Sequence, residues 1–192
     1  MYACAHTNSS IMYYDTSFSL LSLYLFLFVH YSFCSQSFVE LAVITGTSSG
    51  LGRKAALSLL RSGEYHVVGA VRDLDKMEAV AEVDGFDLNH FTAMECELNS
   101  LESVRLFCDE LNKFRLEKPI DRLICNAGVY QPSLEHAKWS VDNHEQTMQI
   151  NFLSHFLMIS KLLTSMMDST DPRVIMVGSV TGNDNTVGGG GV

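Results

Sequence analysis

The feature that most constrains this chain lies at residues 41–61, LAVITGTSSGLGRKAALSLLR. The apolar run Leu41, Ala42, Val43 and Ile44 ends in Thr45-Gly46. Gly50-Leu51-Gly52 follows three residues later, and Ala55, Ala56, Leu59 and Leu60 then recur at helical spacing. An apolar run, clustered glycines and a helical repeat read as strand, tight turn and helix. The unit suits a dinucleotide. Gly46 permits the sharp turn, Gly50 lets backbone approach a pyrophosphate, and Gly52 allows the helix to pack close on the strand. The helix N-terminus adds free N–H groups and a partial positive charge. Gly46, Ser48, Ser49, Gly50, Leu51 and Gly52 are the residues expected to line the phosphates. A purely structural strand–helix turn is the alternative reading of the same glycines.

The rest of the chain repeats this alternation. Residues 66–71 (HVVGAV) read as a second buried strand, and 91–96 (FTAMEC), 121–125 (DRLIC) and 173–177 (RVIMV) as a third, fourth and fifth strand. Residues 74–83, 101–114 and 143–167 read as helices, the second with Ser100 as a candidate N-cap. The order β-α-β-α-β-α-β-α-β, with connections long enough for parallel crossovers, predicts an α/β fold: a Rossmann-like doubly wound parallel sheet ordered 3-2-1-4-5. Its ligand site should lie at the carboxyl edge of strands one and four.

Residues at the strand ends carry the candidate chemistry. Arg72-Asp73 closes the second strand, beside the position of an adenosine ribose. An acid alone there would accept from a free 2′-hydroxyl, whereas Arg72 can pair bidentately with a 2′-phosphate. This favours NADP over NAD, the alternative being a solvated Arg-Asp pair. Asn126-Ala127-Gly128 follows the fourth strand. The Asn side chain can tie neighbouring strands and the small residues leave room for a ligand, although turn formation explains the same types. Asn151 sits among apolar neighbours in the middle of the last helix, where a buried carboxamide must find partners. Ser179 follows the fifth strand, as a turn residue or cap would.

Composition closes off other classes. A length of 192 residues fits one domain, and a formal charge of −9 argues against nucleic acid and anionic membrane surfaces. Cys4, Cys34, Cys96, Cys108 and Cys125 form no CxxC, and the histidines lack metal spacing. Reduced thiols and no metal site are therefore expected. His155 reads as a packed, hydrogen-bonded side chain. Residues 1–38 look separate from residues 39–192, which form the NADP-binding domain. The leader contains no Lys or Arg, and its apolar run at 18–29 matches a signal-peptide core in length. A mispredicted first exon and a membrane anchor are the other readings.

The spacing Thr-Gly-x-x-x-Gly-x-Gly from Thr45 to Gly52, with Asn126-Ala127-Gly128 at its offset, resembles the short-chain dehydrogenase/reductase family. The resemblance implies that Asn126, Ala127 and Gly128 bracket the adenosine side. It implies that Ser179, three before Gly182, is the active-site Ser, and that Asn151 holds a water on a proton relay. Glu97-Leu98 stands where the family has Asp and an apolar residue meeting the adenine edge. Glu97 is one methylene longer.

Within that family, residues 125–132 (CNAGVYQP) and 177–186 (VGSVTGNDNT) resemble the light-dependent protochlorophyllide oxidoreductases, and the Gly-rich end at 187–192 resembles an algal form. That resemblance implies hydride transfer from NADPH to a protochlorophyllide ring double bond, with light absorbed by the pigment. It also implies a plastid location and peripheral association with plastid or thylakoid membranes. Two departures stand out. The family's Tyr-x-x-x-Lys does not occur: Tyr130 follows the fourth strand and has Leu134, not Lys, at the fourth position. Residues 1–38 also lack the basic residues of a transit peptide. The expectation is a fragment that turns over no pigment alone. The alternatives are another short-chain reductase acting on a retinoid or small carbonyl, and a non-catalytic NADP-binding module. The oligomeric state stays open.

Overall fold

The computed structural model describes residues 39–131 and 136–179. The leader reading of residues 1–38, and the motif residues beyond Ser179, lie outside the described residues. The described chain alternates strand and helix: β1 (Glu40–Thr45), α1 (Gly50–Ser62), β2 (Tyr65–Val71), α2 (Leu74–Asp84), β3 (Phe91–Glu95), α3 (Leu101–Phe114) and β4 (Arg122–Cys125). A helical stretch over residues 146–166, here α4, and then β5 (Arg173–Met176) complete it. The strands are all parallel and ordered β3-β2-β1-β4-β5, as the alternation predicts.

The central strands read as continuous apolar runs because both of their own faces are covered, whereas every residue of the edge strand β5 is exposed. Alternate residues of β1 point opposite ways. Leu41 and Val43 pack with Val104, Phe107 and Leu111 of α3 and with Met158 and Leu162 of α4. Ala42 and Ile44 pack on the other face with Ala56 of α1 and with Met77 and Ala81 of α2. Val43 is aligned with Val68 on one side and Leu123 on the other, so the three innermost strands end together at the carboxyl edge.

Two helices are capped by their own sequence. The Asp73 carboxylate accepts from Lys76 N at 2.9 Å, and the Ser100 hydroxyl accepts from Ser103 N at 3.2 Å. Neither Ser49 nor an acidic residue serves α1 in this way, so its first N–H groups keep their partial positive charge where the glycine turn opens.

The structure corrects the expectation of one regular helix over 143–167. Asn143 has φ +62° and lies outside the helix. Glu145 provides the cap, its carboxylate accepting from Thr147 N at 3.0 Å and Met148 N at 2.7 Å. After the short turn Gln146–Met148 comes a π-helical segment, Gln149–Leu153, and only then the α-helix Ser154–Met166. The wider turn has a polar cause. Buried Gln149 bonds the Ser140 hydroxyl and the Asp142 carboxylate, while Asn151 reaches across to the loop after β4. Apolar spacing cannot reveal the altered helical pitch that these bonds hold in place.

Candidate functional site

The carboxyl ends of β1, β2, β3 and β4 surround a cleft of about 290 Å³. Its floor is the glycine turn. Gly46 has φ +75°, and a Cβ there would sit 3.0 Å from the Ala127 Cβ, so a bare α-carbon is favoured on both counts. A Cβ on Gly52 would drive into the Gly46 carbonyl oxygen and the Asn126 Nδ2. The close approach of α1 to this turn therefore depends on Gly52.

The β4 side is fastened to β1 by Thr45 and Asn126. The Asn126 side chain donates from Nδ2 to the Thr45 carbonyl at 3.0 Å. The Thr45 hydroxyl accepts from both Asn126 N and Ala127 N at 2.9 Å. Asn126 is thus turned inward as a strand tie, while Ala127 and Gly128 face the cleft.

Among the residues singled out from sequence, Gly46, Ser48, Ser49, Arg72, Glu97, Leu98, Ala127 and Gly128 line the cleft. Gly50, Leu51 and Gly52 stand behind its lining in the first turn of α1. Leu51 is exposed, and Gly50 has open space where a Cβ would project. The Glu97 carboxylate accepts from Asn99 N at 2.8 Å and faces Arg72 Nε at 3.8 Å. Asn151 is exposed rather than buried and does not line the cleft; its Oδ1 accepts from Val129 N and its Nδ2 donates to Val129 O, both at 2.8 Å. Gly128 packs against the same carboxamide. Ser179 is exposed on the segment leaving β5, at the carboxyl edge of the sheet.

The structure adds lining residues that motif reading missed, chiefly Lys76, Cys96 and Ile150. Lys76 matters most chemically, because it gives the cleft a second cation beside Arg72. A faint signal was present in the sequence. Asp73 as N-cap puts Lys76 in the first turn of α2, an end that disfavours a cation. Ile150 reaches the cleft from the π segment, a placement that no local pattern contains.

The residues present fit a phosphorylated dinucleotide. The turn excludes side chains from the backbone, the α1 terminus has no side-chain cap, and two cationic residues, Arg72 and Lys76, line the cleft after β2. Cys96, Cys108 and Cys125 are buried free thiols, and burial raises all three, Cys125 to about 11. A larger hollow of about 730 Å³ lies between α2 and β3. It is walled by Met77, Ala81, Phe86 and Phe91, and its lining has no cationic side chain for a phosphate.

Residues 40–190 match the family model described as short chain dehydrogenase, and the chain belongs to that family of oxidoreductases. Its curated relatives include chloroplastic protochlorophyllide reductase A of Hordeum vulgare, 42% identical over 149 residues that make up 77% of this chain and 38% of that protein. The protochlorophyllide reductase of Avena sativa is likewise 42% identical, over 77% of this chain and 47% of that protein. The chain thus spans less than half the length of these two relatives. Among solved structures, the Pseudomonas aeruginosa RhlG/NADP active-site complex superposes with a TM-score of 0.64 at 28% identity, over 77% of this chain and 57% of that one. A metagenomic short-chain oxidoreductase in complex with NADP shares the fold, with a TM-score of 0.65 at 23% identity over 79% and 66% of the two chains.

Proposed function

We propose that this chain is the NADPH-binding part of a light-dependent protochlorophyllide oxidoreductase acting in a plastid. The observation that carries the cofactor reading is the placement of Arg72 and Lys76 in one cleft with the glycine turn. In this reading the α1 terminus and the backbone around Gly46, Ser48 and Ser49 hold the pyrophosphate. Arg72 and Lys76 hold the 2′-phosphate, two charge-assisted contacts that NADH cannot make. Leu98, Ala127 and Gly128 shape the adenosine side, and Glu97 borders it. The pigment reading is supported by relatives that are 42% identical and named protochlorophyllide reductases.

Bound NADPH would supply a hydride at the nicotinamide end. Reduction of a ring double bond also needs a proton, delivered to the other carbon. The chain's own contribution is positional. Asn151 fixes the loop at Val129, and Ser179 stands at the carboxyl edge, where a substrate polar group or water would be hydrogen-bonded. The absorbing pigment and the protein's remaining groups complete the reaction in the whole enzyme.

Titration of NADPH and NADH into the purified chain, followed by nicotinamide fluorescence, tests the cofactor half. Saturable binding with a preference for NADPH is expected, and a folded chain that ignores both would overturn it. Illumination of the full-length gene product with NADPH and protochlorophyllide tests the substrate half. A shift of the pigment absorption to that of chlorophyllide is expected, and reduction of a carbonyl substrate with no such shift would refute it.

A further inference from the structure

His155 has no part in the proposed chemistry, yet this buried side chain touches both Thr45 at the end of β1 and the π segment that carries Asn151. It lies on α4 one turn after Asn151 and is 1% exposed. Its Nε2 is 3.0 Å from the Thr45 hydroxyl oxygen, and its Nδ1 is 3.4 Å from the Asn151 carbonyl oxygen. The direction of these bonds follows from counting. A hydroxyl has one proton and two acceptor positions. Both acceptor positions of Thr45 are taken by backbone donors, Asn126 N and Ala127 N. The hydroxyl proton must therefore go to a third neighbour, and His155 Nε2 stands there. Nε2 is bare, and the ring proton sits on Nδ1, directed at the Asn151 carbonyl.

We infer that His155 is a positioning residue which, as the neutral Nδ1–H tautomer, orients the Thr45 hydroxyl toward itself and so fixes the Asn126–Ala127 backbone at the cleft, while anchoring the π segment that carries Asn151. An Nε2–H tautomer or an imidazolium would present Thr45 with three donors, and one of the two backbone N–H bonds would be lost. Burial favours the uncharged ring and holds its pKa below the usual histidine range. The effect on ligand binding rests on the proposed NADPH cleft, but the tautomer does not depend on it.

Long-range proton–nitrogen NMR on the ¹⁵N-histidine-labelled chain at neutral pH reads the tautomer directly. The His155 resonances are assigned by correlating the ring with its own backbone amide in the unaltered chain. A protonated Nδ1 with a bare Nε2 is expected, and a protonated Nε2 overturns the inference whether or not the variants fold. NADPH titration supplies the second arm. His155→Phe keeps an apolar ring but orphans the Thr45 proton, and should weaken binding at least about fivefold. His155→Gln restores an acceptor and should recover much of that loss. Binding in the Phe variant equal to or better than in the Gln variant would mean that His155 only fills space. If the unaltered chain binds no NADPH, the cofactor reading fails by itself and the tautomer alone decides the positioning role.

Discussion

Arg72 and Glu97 face each other at the cleft, with Arg72 Nε 3.8 Å from a Glu97 carboxylate oxygen. The arginine side chain is 77% exposed, and an ion pair in that setting restrains it only weakly. Glu97 is otherwise engaged with Asn99 N, so it balances the charge of Arg72 without locking it. In the proposed cofactor reading this weakly held guanidinium pairs with the 2′-phosphate. Arg72→Ala should weaken NADPH binding by about tenfold or more and leave NADH almost unchanged, since a hydrogen bond to a charged group contributes roughly 1.5–3 kcal/mol. Lys76→Ala should act in the same direction. Glu97→Gln should tighten NADPH by about twofold, within the range of an exposed pair. Fluorescence titration of both nucleotides against each variant checks all three.

Gly50 and Gly52 are two residues apart and should respond differently to alanine. At Gly50, φ is +55° and no atom lies within 4 Å of the added Cβ, so the cost is backbone strain of roughly 1–2 kcal/mol. At Gly52 the added Cβ meets the Gly46 carbonyl and the Asn126 side chain, and α1 must move away from the sheet. Gly52→Ala should be the more damaging substitution by urea denaturation, and should also abolish nucleotide binding.

Asn151 presents a donor and an acceptor to one residue, Val129. Asn151→Asp preserves shape but sets a carboxylate oxygen against the Val129 carbonyl. It should therefore destabilise the chain at least as much as Asn151→Ala, where each lost bond costs about 1 kcal/mol. Thermal melts at neutral pH decide the order.

Acid should weaken the fold in two stages. Burial lowers the pKa of His155 and of His66, so between the folded value and the unfolded value of about 6.5 the unfolded chain binds more protons. This contribution to stability is complete above about pH 6.5 and declines as pH falls from there. Asp84, lowered by its hydrogen bond from Arg53, Asp87, lowered by His90, and Glu145, lowered by the N–H groups of Met148 and Thr147, contribute only while ionised. Their contribution is lost below about pH 4. Urea midpoints at pH 7.5, 5.5 and 3.5 should show both steps, and His155→Gln should reduce the first.

The thiols of Cys96, Cys108 and Cys125 should resist alkylation in the folded chain. Burial raises each of them, Cys108 to about 12, so almost no thiolate forms near neutral pH. Peptide mapping after a brief iodoacetamide pulse should find these three unmodified until denaturant is added.

The sequence by itself determined the strand order, the glycine turn and most element boundaries. Helix 101–114 was legible to the residue and β1 to within one residue. Buried parallel strands are near-continuous apolar runs, helices carry their own period and caps, and a left-handed turn needs glycine. Each of these signals is written within about a dozen neighbouring positions. Only the tertiary structure decided that Asn126 turns inward, that α4 widens at Asn151, and which nitrogen of His155 is bare. Those features rest on contacts such as Thr45 with Asn126 and Thr45 with His155, 81 and 110 positions apart. A hydrogen bond constrains atoms in space, and no local period records which distant residue supplies the other half.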